Sequence, residues 1–320
     1  MGSLCDLVYS DLFVADSAAT SWFKETPDSL TAHALPHECA SELDALRQHL
    51  EAQSAQVGTT AFRADWPAVN GVRLRVERLQ VAQAKTVYVC RRFRLPPGNL
   101  AALGMPTGVA QRLLAPDLLE GMIVFFGKSG SGKTTTAASL IFERLERFGG
   151  VCWTIENPIE LELQGKHGNG WCYQTEVSSD DGIGLAVRNI LRATPNIILI
   201  GEMRDGLAVR EAIAAATSGH LVIATFHAPD LLTGIARLAR LAGDENASAG
   251  IADALRVAVH LSLKNTPAPV PGAFTPISQE KGTGTPPRVL SVEPLWMSGQ
   301  AAEGLRSMVR DGEFHMLKSE

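Results

Sequence analysis

Residues 127–134 read GKSGSGKT, and they stand between the apolar run MIVFF and the stretch TTAASLIFERLERF. A segment this rich in glycine and serine has no side chains that could pack a core. It fits the pattern GxxxxGK[ST], in which Gly127, Gly132, Lys133 and Thr134 occupy the fixed positions. The run before it is typical of a buried strand, and apolar residues recur after it at helical spacing. The sequence therefore predicts a strand, a loop and a helix in direct succession.

This succession favours a loop that binds the phosphates of a nucleotide. Glycines let backbone N–H groups turn toward phosphate oxygens at the positive end of the helix. Lys133 then reaches the β and γ phosphates, and the Thr134 hydroxyl binds Mg²⁺. ATP and Mg²⁺ are the predicted ligands, and the alternative interpretation is a glycine-rich loop that only caps a helix. The predicted nucleotide-binding residues are Ser129, Gly130, Ser131, Gly132, Lys133, Thr134 and Thr135.

The 320 residues suit two domains, and 45% hydrophobic content is sufficient for two buried cores. In the N-terminal part, GVRLRVERLQVAQAKTVYVCRRFRL predicts two paired strands, which favours an α+β domain at residues 1–105. Pro106 closes a stretch that reads as a linker, placed at residues 106–112. The remainder, 113–320, contains the strand-like runs MIVFF, VCWTI, NIILI and HLVIAT, which predict an α/β domain with a parallel sheet. The Pro- and Gly-rich segment 265–287 is expected to be a flexible excursion.

Composition excludes several classes of protein. No window approaches the roughly 18 apolar residues of a membrane span, and the N-terminus lacks the features of a signal peptide, so we expect a cytoplasmic protein. The five cysteines form no CxxC pair, which argues against a zinc site or a disulfide framework. A net charge of -5 provides no overall basic field, which disfavours nucleic acid as a partner.

Hydrolysis of ATP requires an acidic group that orients water near the γ-phosphate, and two segments offer one. The strand NIILI ends at Gly201 and Glu202, and carboxyl ends of parallel strands face the ligand crevice of α/β sheets. In TIENPIE, Pro158 forces a turn that is expected to send Glu156 and Glu160 beyond the strand end. The alternative is that these carboxylates are solvated loop residues.

Four motifs together resemble one family. The succession GKSGSGKTTT, TIENPIE, ILIGEMRD and TSGHLVIATFHA is similar to the secretion and pilus ATPases, the PilT-like group of hexameric traffic ATPases. The resemblance spans roughly residues 70–315. It implies a RecA-like P-loop ATPase domain with a parallel-rich sheet, preceded by a smaller PAS-like α+β domain. The tetracysteine zinc insertion of some relatives is absent, which points to the shorter retraction-like or conjugation-like (DotB-like) branch.

The resemblance also assigns roles to individual residues. Glu160 would be the base that activates water, and Glu202 would help to hold Mg²⁺ and water. His220 and His227 would form the His box, although a histidine on an apolar run is more often a packed core residue. Asn157 stands where the family has Asp, so this box carries one charge fewer.

The family places each nucleotide at a subunit interface, to which the N-terminal domain supplies arginines. By family position these are Arg75 and Arg91, whose fork of donors matches phosphate geometry. The competing interpretation is an exposed basic strand face. The resemblance implies a homo-oligomer, expected to be a hexamer, that works with inner-membrane platform or other machine proteins of a pilus, secretion or conjugation apparatus. The rival functions are a RecA-like nucleic-acid motor and a nucleotide-dependent assembly module with little hydrolysis.

Overall fold

The chain divides into two compact units, Met1–Arg94 and Leu95–Glu320. The structure is a computed structural model, and it describes residues 4, 7, 9–25, 30–66, 72–82, 85–92, 98–243, 246–265, 288–297 and 302–314. The predicted excursion therefore lies outside the described residues, except for Asn265. Among the residues described, no helix has the length and apolar character needed to cross a bilayer.

The first unit is an antiparallel sheet with one long helix on one face. Its strands pair in the order β3-β2-β1-β6-β5-β4, so the predicted pairing of β5 with β6 is confirmed. Alternate residues such as Leu74 and Val76 point toward the helix and are buried, as the period of two in a strand requires. The α+β class is therefore confirmed. The elements are β1 (Asp11–Val14), β2 (Trp22–Lys24), β3 (His33–Ala34), α1 (Ala40–Val57), β4 (Ala61–Trp66), β5 (Val72–Val81) and β6 (Lys85–Arg92).

The second unit is built on one sheet with the order β14-β13-β7-β12-β11-β8-β10-β9. The pairs from β13 to β10 are parallel, and β14 and β9 add antiparallel edges. The predicted parallel-rich sheet is confirmed. The elements are α2 (Thr107–Leu113), β7 (Gly121–Gly127), α3 (Lys133–Phe148), β8 (Gly150–Glu156), β9 (Gly165–His167), β10 (Gly170–Glu176), α4 (Gly182–Ile190), β11 (Ile197–Ile200), α5 (Gly206–Thr217), β12 (Leu221–His227), α6 (Leu231–Ala242), α7 (Ala247–Ala254), β13 (Leu255–Asn265), β14 (Arg288–Trp296) and α8 (Glu303–Arg310).

Helices cover both faces of this sheet, which explains why its strands are apolar throughout. In β7, Ile123 and Phe125 pack in the cluster that includes α3, whereas Met122 and Val124 pack in the cluster that includes α5, α6 and α7. Every residue of β7 is buried. The strand is thus a rigid base for the loop that follows it.

Residues 106–112, expected as a linker, lie within the second unit and overlap α2. Pro106 interrupts the sequence pattern, but it stands at the N-cap of α2, where proline is compatible with a helix start. Leu100, Met105 and Leu113 are buried in the same core cluster as α3. Apolar packing therefore incorporates this segment into the second unit.

A buried arginine joins α3 to the end of α2 and to the residues that follow it. Arg144 is 3% exposed, and its guanidinium donates to the carbonyls of Leu113 at 2.9 Å, Ala115 at 3.3 Å and Leu118 at 2.7 Å. Burial lowers the pKa of Arg144 to about 10, so it stays charged near neutral pH. These bonds fix the helix that begins at the phosphate-binding pattern.

Candidate functional site

The GKSGSGKT loop adopts the predicted strand, loop and helix arrangement. β7 ends at Gly127, and α3 begins at Lys133. Gly130 and Gly132 have φ of 72° and 93°, a left-handed conformation that side chains other than glycine rarely adopt. A Cβ on Gly127 would stand 2.3 Å from the Ser131 hydroxyl oxygen. The conformation of this loop therefore requires glycine at all three positions. A loop that only capped a helix would not require this.

Two polar side chains of the loop are buried beside its backbone. Lys133 is 8% exposed, and its Nζ donates to the carbonyls of Gly127 and Lys128, both at 2.9 Å. Within the described residues, the buried Oγ of Ser131 has no hydrogen-bond partner. Unsatisfied buried polar atoms are rare in folded proteins, so this hydroxyl is suited to an oxygen of a bound ligand. The donors available here, a hydroxyl, an ammonium and the amides of a helix N-terminus, fit an oligophosphate.

The predicted carboxylates Glu160 and Glu202 lie near Lys133. Burial lowers the pKa of Lys133, and the negative charges of Glu202 and Glu160 oppose this shift. Both carboxylates therefore contribute negative charge at the lysine ammonium. Glu160 is exposed, whereas the Glu202 side chain is 28% exposed and forms an ion pair.

Arg204 joins Glu202 to Asp180. Its guanidinium donates to Glu202 Oε2 at 2.7 Å and to Asp180 Oδ2 at 2.9 Å, and these bonds raise the pKa of Arg204. Asn157 Nδ2 donates to the other oxygen of Asp180 at 2.9 Å. The bonds from Arg204 and Asn157 lower the pKa of Asp180. Sequence reasoning missed Asp180, because no local pattern distinguishes it from the neighbouring Asp181.

Glu156 does not extend beyond its strand, contrary to expectation. It is the last residue of β8, is 3% exposed, and accepts hydrogen bonds from Thr154 Oγ1 at 2.6 Å and Gln174 Nε2 at 3.0 Å. A Cβ on Gly201 would approach Glu156 Cγ to 3.2 Å. Glu156 therefore fills the space beside position 201, which explains why glycine follows β11 there.

The structure separates the two histidines of the predicted His box. His227 ends β12 opposite Gly127, and its Nε2 accepts a hydrogen bond from the Ser129 N–H at 3.1 Å. His220 precedes β12 at the other end of the sheet, roughly 20 Å away at the rise of an extended strand. Its Nδ1 lies 2.8 Å from the Pro195 carbonyl oxygen, and this hydrogen bond joins the residues that precede β11 and β12. Among the described residues, His220 therefore lies at the end of β12 away from the loop that contains Ser129.

A cavity of about 510 Å³ opens beside Glu202 and His227. Arg204, Arg237 and Arg240 also line it. Arg237 donates to the His227 carbonyl at 3.1 Å, which orients one guanidinium at the cavity wall. A space with several guanidinium groups beside a phosphate-type loop is suited to an anionic group.

The two predicted arginines of the first unit stand directly opposite each other on neighbouring strands. Arg75 of β5 pairs with Arg91 of β6 on one side and with Arg63 of β4 on the other. Arg91 Nε donates to the buried Asp11 carboxylate at 2.7 Å. The register thus forms a row of three arginines on the sheet face opposite α1. Arg63 was missed because no motif marks β4, and its place in the row follows only from the pairing of β4 with β5.

Comparison with known proteins identifies the family. A family model described as "Type II/IV secretion system protein" matches residues 58–268. The type IV pilus ATPase PilU of Pseudomonas aeruginosa is 32% identical over 216 residues, which cover 65% of this chain and 52% of PilU. The type II secretion system protein HxcR of that organism is 38% identical over 147 residues, covering 44% of this chain and 29% of HxcR. The chain spans about half or less of the length of these curated relatives.

Solved structures show the same fold. The pilus retraction motor PilT, solved with bound ADP, is 25% identical with a TM-score of 0.70, covering 97% of this chain and 84% of that one. The Legionella pneumophila ATPase DotB is 20% identical with a TM-score of 0.67, covering 97% and 83%. The RecA-like P-loop fold predicted from the motifs is confirmed. Because the family model matches more than half of its residues, the chain belongs to the type II/IV secretion system protein family.

Proposed function

We propose that this chain hydrolyses ATP in the presence of Mg²⁺ and works as a ring-forming motor of a pilus, secretion or conjugation apparatus. One observation carries the proposal. The glycine-shaped loop with the buried Ser131 hydroxyl and Lys133 ammonium lies within electrostatic reach of two carboxylates, Glu160 and Glu202. A loop that served only to cap a helix would need neither the buried cation nor the carboxylates.

Each group has a distinct part in the proposed reaction. Ser129 to Thr135 hold the phosphates through backbone N–H groups and hydroxyls, and Lys133 places a positive charge on the β and γ phosphates. Thr134 and Glu202 would hold Mg²⁺, which supplies charge neutralisation at the phosphate oxygens when bound. The exposed Glu160 carboxylate accepts a proton from the attacking water.

His227 contributes through the loop itself. Its Nε2 accepts the Ser129 N–H, so the ring links the end of β12 to the backbone that binds the phosphates. A change of loop conformation on binding or release of nucleotide would be transmitted to β12 through this bond. We assign His227 to this coupling, and we assign no step to His220.

The oligomer is part of the same proposal. We propose a hexamer in which Arg75 and Arg91 of one subunit stabilise the phosphates bound by its neighbour, as an arginine finger does. The PilU and PilT names refer to a pilus ATPase and a pilus retraction motor, and DotB is named as an ATPase. By analogy we propose a cytoplasmic protein that reaches the inner membrane only through partner proteins of the machine.

The test measures phosphate release and nucleotide binding by the full chain. Lys133→Ala is expected to abolish binding of a fluorescent ATP analogue and to reduce phosphate release to background, because the loop loses its buried cation. The matched control Lys166→Ala removes an exposed lysine of β9 and should behave like the parent. Light scattering should give a mass about six times 34.2 kDa with nucleotide present.

The same assay separates the rival functions. Phosphate release that rises strongly on addition of DNA, with a steep dependence on salt, would favour a nucleic-acid motor. Tight ATP binding without phosphate release in the assembled ring would favour an assembly module. Near-parental nucleotide affinity in Lys133→Ala would overturn the assignment of the loop.

A further inference from the structure

The segment that carries Glu160 depends on side chains of β10 for its position. It connects β8 to β9 and belongs to neither strand. Apart from an isolated β-bridge at Leu161, its backbone polar groups therefore need partners outside a sheet ladder. The N–H of Ile159, immediately before Glu160, donates to Glu176 Oε2 at 2.9 Å. The first anchor of the segment is thus a carboxylate of β10.

The second anchor is the carboxamide of Gln174, also on β10. Its Oε1 accepts the N–H of Leu163 at 2.7 Å, and its Nε2 donates to the carbonyl of Leu161 at 3.0 Å. The same Nε2 donates to Glu156 Oε1 at 3.0 Å. Only a carboxamide offers an acceptor and two donors in this arrangement. Gln174 therefore fastens the residue after Glu160 to the end of β8.

The Glu160 side chain extends from this anchored segment. In the part of the chain that the structure describes, its carboxylate forms no hydrogen bond or ion pair, and it is exposed. The position of the Glu160 carboxylate is therefore determined by the backbone of residues 159–161. The buried side chains of Ile159 and Leu161 anchor that backbone, and hydrogen bonds to Glu176 on one side and Gln174 on the other orient it.

We propose that Gln174 is a positioning residue for ATP hydrolysis, which sets the placement of Glu160 by clamping the following residues to β8. The inference rests on the proposed role of Glu160 as the base. A base must be within hydrogen-bond reach of the water proton, and a misplacement of about 1 Å can lower a rate by about 100-fold. Gln174 would act through these backbone hydrogen bonds, so the effect requires no contact between Gln174 and the nucleotide.

Two substitutions test the clamp in different ways. Gln174→Glu keeps size and acceptor but removes both donors and directs negative charge at the Leu161 carbonyl and at Glu156. Gln174→Met removes all three hydrogen bonds at similar volume without adding charge. Both variants are expected to lower kcat about 10- to 100-fold while KM for MgATP stays within about threefold of the parent.

Gln164→Glu is the matched control. The Gln164 Oε1 accepts the backbone N–H of Gln174 at 2.8 Å, and a glutamate at position 164 preserves that acceptor. It also adds one negative charge, as Gln174→Glu does, but on the segment between β8 and β9. Its kcat should stay within about threefold of the parent. A merely structural effect of the Gln174 substitutions would appear as lost nucleotide binding and a lowered melting temperature, whereas the clamp predicts a loss confined to kcat.

A double substitution separates this inference from the assignment of the base. In the Glu160→Gln background, Gln174→Met should cause almost no further loss, because there is no base left to position. Parental kcat in both Gln174 variants, or a full multiplicative loss in the double variant, overturns the clamp. Parental turnover in Glu160→Gln alone overturns the proposed base instead.

Discussion

Glu160→Gln replaces one oxygen of an exposed carboxylate by an amide nitrogen and leaves the phosphate-binding loop untouched. Because the carboxylate forms no hydrogen bond or ion pair among the described residues, the change should alter the free energy of unfolding by less than about 0.5 kcal/mol. Lys133 and Ser131 remain in place, so ATP binding and ring assembly should persist. Loss of general-base catalysis should lower turnover by about two to four orders of magnitude, or about 2.7–5.4 kcal/mol of transition-state stabilisation.

The assay is steady-state phosphate release at saturating MgATP, with binding of an ATP analogue and light scattering measured on the same samples. Glu162→Gln makes the same chemical change two positions along the same segment and serves as the control, with turnover expected within about threefold of the parent. If Glu160→Gln hydrolyses ATP at the parental rate, the base is misassigned. Attention would then pass to Glu202, since Glu156 is buried and hydrogen-bonded at the end of β8.

Three further predictions concern other parts of the chain. Glu202→Gln should slow turnover about 10- to 100-fold and raise the Mg²⁺ concentration needed for half-maximal activity, as a magnesium titration would show. Arg75→Ala and Arg91→Ala should both lower turnover of the assembled ring by about 10³-fold or more; Arg91→Ala should also lower the free energy of unfolding in a urea titration by about 1–3 kcal/mol, because the buried Asp11 loses its charged partner and keeps only the hydrogen bond from Ser10. Arg144→Met should reduce the free energy of unfolding by about 2–4 kcal/mol in a urea titration, since three carbonyls lose a charged donor.

The phosphate-binding loop could be predicted from the sequence because the residues that determine its conformation are neighbours along the chain. The glycines, the lysine and the helix of GKSGSGKT follow one another along the chain, and the structure shows that order at β7 and α3. The carboxylate of Glu202 was placed at the correct edge because all parallel strands end there. The roles of these residues stay predictions, since only their positions are given by the fold.

The remaining parts depend on contacts between segments distant in sequence. Gln174 and Asp180 reach the TIENPIE segment only because β10 pairs with β8, and neither lies in a recognisable motif. His220 and His227 belong to one motif in the sequence, and in the structure they lie at the two ends of β12. The two ends of β12 lie at opposite ends of the parallel strands, so of these two histidines only His227 lies beside the loop. The seven-residue spacing in the sequence does not show which histidine this is.

Position 157 carries Asn where the family pattern has Asp, and the hydrogen bonds around Asp180 give a physical reason for this difference. The amide of Asn157 donates to Asp180, and Asp180 in turn holds the Arg204 guanidinium that binds Glu202. An aspartate at 157 would face Asp180 with a like charge, whereas the amide supports the ionised form of Asp180. The two carboxylates that we propose for the active site consequently differ, because Glu202 is held by an arginine and, among the described residues, Glu160 is not. A carboxylate whose position is fixed by an arginine, such as Glu202, is suited to bind a metal ion. A carboxylate without an ion pair, such as Glu160, is suited to accept a proton. The loss of one charge at position 157 therefore leaves this division intact, and it gives no reason to expect a ring that binds ATP without hydrolysing it.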